Sequence, residues 1–79
     1  MTKYYVETER LWRFNRGSNF EPDRANSTPK HEIDEATFRG LVELHKMRGD
    51  TVNDHGDKVI ATAIFDAHNH ERTTFYIER

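Results

Sequence analysis

From Lys3 to Phe14 the chain alternates in character. Tyr4, Val6, Thr8, Trp12 and Phe14 fall on one side, with Arg10 interrupting them, and Tyr5, Glu7, Glu9, Leu11 and Arg13 fall on the other. A period of two with aromatic and β-branched residues predicts a half-buried strand. The period changes after Ile33. Asp34 fits a helix N-cap, Glu35 places negative charge on the first turn, and Ile33 with Phe38 has the spacing of a hydrophobic staple. Phe38, Leu41, Val42 and His45 form one apolar stripe flanked by Leu44, while Lys46, Arg48 and Gly49 suit a C-terminal end. These signals predict a helix from about Glu35 to Arg48.

Asn53-Asp54-His55-Gly56 reads as a turn, and Lys58 to Phe65 then has apolar residues on both sides: Ile60 and Ile64 on one, Val59, Ala61, Ala63 and Phe65 on the other. Two apolar faces predict an interior strand, with Ala61 and Ala63 small enough for the helix to approach. Arg72 to Ile77 alternates again, with Thr73, Phe75 and Ile77 on one side. Joined by the short link Asp66 to Glu71, the last two runs make an antiparallel hairpin in which Ile60, Ile64, Phe75 and Ile77 hold the sheet together. The expectation is an α+β fold, a small antiparallel sheet of about three strands packed on one helix, in the order strand-helix-strand-strand.

Between the first strand and the helix, residues 15 to 30 are dense in Asn, Gly, Ser, Asp and Pro and nearly free of aliphatic residues. That composition predicts a long loop, and loops of such length tend to be functional or disordered. Phe20 stands out in it. Either it pins the loop to the core or it is an exposed anchor for a partner.

Size and composition narrow the possibilities. Seventy-nine residues make one domain, 1–79, because so short a chain cannot divide its core. With 34% hydrophobic and 33% charged residues and a mean hydropathy of -0.99, the core must be thin and built on aromatics. The absence of cysteine excludes disulfides, thiolate zinc sites and cysteine nucleophiles. No apolar run approaches the length of a membrane span and the N-terminal residues lack a signal-like apolar segment, so a cytoplasmic location without membrane contact is expected. The net charge of -2 is unevenly placed: residues 1–30 carry six basic against four acidic side chains, and residues 31–79 carry six against ten.

The link Asp66-Ala67-His68-Asn69-His70 resembles the Asp-x-His-x-His segment that ends the first strand of the amidohydrolase superfamily, where two histidines hold a catalytic metal. That resemblance implies a (β/α)8 barrel of typically about 250 residues, which 79 residues cannot contain. A local site remains chemically possible, because His68 and His70 on an extended segment point the same way and Asp66 or Glu71 can add oxygen. Few ligands are fixed where a catalytic zinc uses three from the protein, so metal binding through His68 and His70 is the lesser alternative and no metal or cofactor is expected. His45, inside the apolar stripe, reads as a neutral core histidine with one hydrogen-bond partner, the alternative being a ligand or acid/base role. Phosphate loops and His-Glu-x-x-His are missing, and no enzyme is expected.

Two partner classes remain. Arg10 to Arg16 interleaves arginine with Trp12 and Phe14, as single-stranded nucleic-acid binders do. Against this, the net charge is negative, and the same aromatics serve a core. The preferred expectation is a protein-binding module whose surface combines Arg13, Arg16, Phe20, Asp23 and Arg24 with the acidic helix flank of Glu35 and Glu43. In format, short, cysteine-free, α+β and highly charged, the chain resembles the small inhibitor proteins of phages and mobile elements, including anti-CRISPR proteins. The resemblance implies a stoichiometric inhibitor of a host nucleoprotein or nuclease complex that acts by steric and electrostatic occlusion. An exposed strand edge makes a monomer or a homodimer equally compatible.

Overall fold

A computed structural model describes all 79 residues, Met1–Arg79. The elements run β1 (Lys3–Trp12), β2 (Glu21–Ile33), α1 (Glu35–Met47), β3 (Thr51–Asp54), β4 (Lys58–Asp66) and β5 (Asn69–Glu78). They form one antiparallel five-stranded sheet in the order β2-β1-β5-β4-β3, with the helix between β2 and β3 in sequence. The α+β class and the β4–β5 hairpin agree with the sequence pattern. The count of three strands does not.

The largest correction concerns residues 15–30. Only 13–20 form a loop, and Glu21–Ile33 is the longest strand in the molecule. Its alternation is invisible because it is an edge strand: within it only Asp23, Ser27 and Ile33 are even half-buried. Backbone pairing to β1 holds it, and two irregularities account for its turn-forming residues. Between Thr8↔Thr28 and Arg10↔Asp23 the strand bulges out by three extra residues. Here the Arg10 amide donates to Ser27 Oγ at 3.0 Å, Ser27 Oγ donates to the Asp23 carbonyl at 2.6 Å, and Asn26 Nδ2 donates to Asp23 Oδ2 at 2.7 Å. A side-chain hydroxyl thus replaces the missing ladder partner. With Pro22 and Pro29 also in the strand, this edge presents a broken row of donors to any would-be neighbour. The opposite edge, β3, is only four residues long.

The helix follows its sequence signals closely. Asp34 caps it by accepting the Thr37 amide at 2.7 Å, which also holds the Asp34 carboxyl below its ordinary value. Arg48 is the C-cap rather than a helical residue, and the next two amides turn back: Gly49 donates to the Lys46 carbonyl and Asp50 to that of His45. This paired closure needs a left-handed residue, supplied by Gly49 at φ +83°. The closure also delivers Asp50 to His45, whose Nδ1 donates to Asp50 Oδ2 at 2.7 Å while Arg48 donates to the same oxygen at 2.9 Å. His45 is buried and its ring meets Phe75 edge-on, as a core histidine with one hydrogen-bond partner should.

The core lies between α1 and one face of the sheet. Val6, Val59, Ala61 and Phe75 are its buried members, ringed by Ile33, Phe38, Leu41, Val42 and Val52. Phe38 stacks on Tyr4 and meets Phe75 edge-on, completing the staple that Ile33 begins. Ala61 and Ala63 are almost fully buried, as their size predicts. Ile64 departs from expectation: it faces away from the helix and is 66% exposed. Trp12 and Phe14 depart too, because the helix covers only the end of the sheet near Tyr4 and Phe75, and both aromatics lie beyond its reach.

Candidate binding surfaces

At the end of the sheet far from the β2–α1 junction, the loop 13–20 and the tight β4–β5 turn at Ala67-His68 lie side by side. Each is built from its own sequence. Asn15 accepts the Gly17 amide and the Ser18 hydroxyl on its side chain, which folds the first loop on itself. Asp66 accepts the His68 amide at 2.7 Å and the Asn69 side chain at 3.1 Å, and these bonds, the first above all, pull its carboxyl below the usual 3.8. Because the folded value is depressed, the stabilisation is complete above pH 3.8 and disappears as pH falls through the folded value. Asp66→Ala is therefore expected to melt lower than the wild type at neutral pH, and the two midpoints should converge in strong acid, as followed by circular dichroism.

Arg13 clasps the two loops. Its backbone amide donates to the His68 carbonyl at 3.0 Å, its Nε to the Ala67 carbonyl at 2.7 Å and its Nη1 to the Arg16 carbonyl at 3.2 Å. The guanidinium also lies 4.7 Å over Phe20, which in turn stacks on His70 at 4.3 Å. Phe20 thus pins its loop, and Arg13 is committed to the fold. Replacing Arg13 with alanine should cost about 1–2 kcal/mol in denaturant titration, because charged donors to buried or half-buried carbonyls contribute at that scale.

Around this clasp the surface is unusually apolar. Phe14 is 84% exposed, Ile64 66%, Phe65 52% and Trp12 39%. Arg10 lies 4.6 Å over Phe65 and pairs with Glu71 at 3.7 Å, while the Arg16 side chain is exposed with no ion-pair partner.

The second surface is the side of the sheet that bears no helix. A groove of about 560 Å³ runs across it, lined by thirteen residues of which two are hydrophobic. On its floor, Tyr76 donates its hydroxyl to Glu7, and Arg72 pairs with Glu9. The bond to Glu7 raises the Tyr76 phenol above its ordinary value. Lys30 sits 4.3 Å over the Tyr76 ring and 5.1 Å over Tyr5, and reaches Glu78 at 3.7 Å. Arg24 and Lys58 also line the groove and make no salt bridge or side-chain hydrogen bond. The alternation of Glu7 and Glu9 in β1 with Arg72 and Tyr76 in β5 was the sequence signal for this face; Lys58 gave none.

The structure does not gather the sequence-predicted residues on one surface. Arg13, Arg16 and Phe20 belong to the far end. Asp23 anchors the β2 bulge, and Arg24 lines the groove. Glu35 follows the β2 terminus that pairs with Tyr4, eight residues along β1 from the Trp12↔Glu21 pair, or about 26 Å. It is bound there by Arg39 at 2.7 Å, and Glu43 is exposed on the helix. His68 lies in the turn itself rather than on an extended segment, and His70 is stacked on Phe20. No three histidine, aspartate or glutamate side chains converge as metal ligands would. No helix is long and apolar enough to cross a membrane.

No protein-family model matches the chain, and no curated protein or solved structure matches it at a significant level.

Proposed function

We propose that this chain is a non-enzymatic module that binds a protein partner through the far end of its sheet. The observation that carries this reading is the exposure of three large aromatic side chains, Trp12, Phe14 and Phe65, beyond the cover of the helix, with Ile64 exposed at the same end on the opposite face. A domain with so little apolar material leaves such groups in water when a partner covers them. Their immediate neighbours set Arg10, Arg13 and Arg16 beside Glu21, Asp66 and Glu71, so the partner's facing surface is apolar with charges of both signs. Aromatic side chains with arginine at the margin match the composition of interface hot spots.

The narrower form of the reading is a stoichiometric inhibitor of a host nucleoprotein or nuclease complex that acts by occlusion, like anti-CRISPR proteins. Its support is format: 79 residues, no cysteine, an α+β sheet with one helix, and a dense mixed charge. The test is affinity capture from the native host with mass spectrometry, using wild type and the variant Phe14→Glu/Arg16→Glu in parallel. One protein complex retained in stoichiometric amount by the wild type and lost by the variant is the expected result. Equal retention by both would reject the far end as the contact.

A second reading has its own observation. Trp12 and Phe14 are exposed rather than core, which makes the Arg10–Arg16 stretch available for stacking on single-stranded bases. Saturable oligonucleotide binding that weakens steeply with salt would move the assignment to nucleic acid.

A further inference from the structure

The groove on the helix-free side of the sheet lies on the opposite face from the helix and is independent of the far-end surface. Its ionic groups are not all equally committed. Glu9 is neutralised by Arg72 and Glu7 is engaged by the Tyr76 hydroxyl, so the acids of the floor each have one oxygen occupied. The two cations on its walls, Arg24 from the β2 bulge and Lys58 from β4, have no partner. The strands that carry them are three interstrand steps apart, about 14 Å, and Lys58 lies level with Tyr5 while Arg24 follows the residue level with Arg10, an offset of about four residues or about 13 Å along the strands, so their backbones are about 20 Å apart.

An occupant must therefore offer two negative charges at that separation and hydrogen-bond donors between them for the free oxygens of Glu7 and Glu9. An extended peptide does both. Acidic side chains at positions i and i+6 of an extended chain point the same way and are about 20 Å apart, and the amides between them are donors. A nucleic-acid backbone offers the charges without the donors, and the aromatic face on which a base would stack is taken: Lys30 covers Tyr76 and Tyr5. We propose that this groove binds an extended acidic peptide segment running diagonally across the sheet, with carboxylates six residues apart held by Arg24 and Lys58 and the intervening backbone held by Glu7 and Glu9.

The test is fluorescence anisotropy with a labelled twelve-residue probe of serine and threonine carrying two glutamates at i and i+6. The comparison probes carry the glutamates at i and i+1, carry none, or are an oligothymidine of similar length. Saturable binding of the first probe, at least threefold tighter than the i, i+1 probe, is expected, with a loss of about tenfold or more in Arg24→Gln/Lys58→Gln. Both residues are exposed and unpaired, so the variant keeps the thermal midpoint of the wild type and reports binding alone. In amide spectra the probe should shift Arg72 and Thr74. Equal affinity for the uncharged probe, tighter binding of oligothymidine, full affinity in the double variant, or shifts confined to Phe14 and Arg16 would each overturn the assignment.

Discussion

Replacing Phe75 with alanine is expected to leave the domain largely unfolded under conditions where the wild type is native. Phe75 is the one large side chain that is wholly removed from solvent, and it touches both Phe38 and His45 of the helix. Truncating a buried phenylalanine costs about 3–5 kcal/mol, counting lost transfer free energy and the cavity left behind. A chain of this length has about 4–12 kcal/mol of stability in total. With only Val6, Val59 and Ala61 as buried members of its own cluster, there is little else to close the cavity. Urea titration followed by tryptophan fluorescence and far-ultraviolet circular dichroism measures the loss. A shift of less than about 1 kcal/mol would contradict the central place given to this ring.

The second large effect is expected at the far end and in binding alone. Phe14→Glu/Arg16→Glu changes an 84% exposed ring and a side chain without a partner, so stability should stay within about 0.5 kcal/mol of wild type. Affinity should fall far more. Truncation of an aromatic or arginine hot spot commonly costs about 2 kcal/mol or more, and the introduced carboxylates carry unpaired charge into an apolar contact, so a loss above about a hundredfold is expected. Calorimetry or surface plasmon resonance with the captured partner reads this directly. The contrast with Arg13→Ala is informative: that variant loses the clasp and therefore stability, whereas this one loses the partner and keeps the fold.

What the sequence made legible was the part of the fold in which a side chain reports its surroundings. The helix could be placed to within a residue because capping, staple and stripe depend on local spacing. The β4–β5 hairpin was visible because Val59, Ala61, Ala63 and Phe75 lie on a buried face. β2 was hidden for the converse reason. An edge strand with a solvated face is specified by backbone pairing to β1, and hydrogen-bonding amides are the same in every residue type. Its Asp23, Asn26 and Ser27 shape a bulge with the chemistry that elsewhere makes a turn. β3 was hidden likewise, with Val52 its only half-buried residue.

The candidate surfaces divide along the same line. Arg16 and Phe20 were recognised as unusual residues in an aliphatic-poor stretch, yet whether Phe20 or Phe14 faced water depended on where the helix stopped covering the sheet. Alternation assigns a residue to a face and not to a position along it. Trp12 shares its face with Val6 and differs only in being six residues further from the helix's footprint. The groove was beyond reach because it joins β2 to β4 across two intervening strands.

The pairing of β1 with β5 fixes when this protein can fold. These strands match residue for residue from Lys3↔Glu78 to Trp12↔Asn69, so the first strand of the domain has as its inner neighbour the last. At about 5–20 residues per second, β1 spends several seconds without that neighbour, with its inner edge open. Phe75 arrives with the final strand, so no partial chain contains the core. Folding of this domain is consequently deferred until β5 has been made, and chains stalled short of β5 are natural substrates for chaperones or proteases.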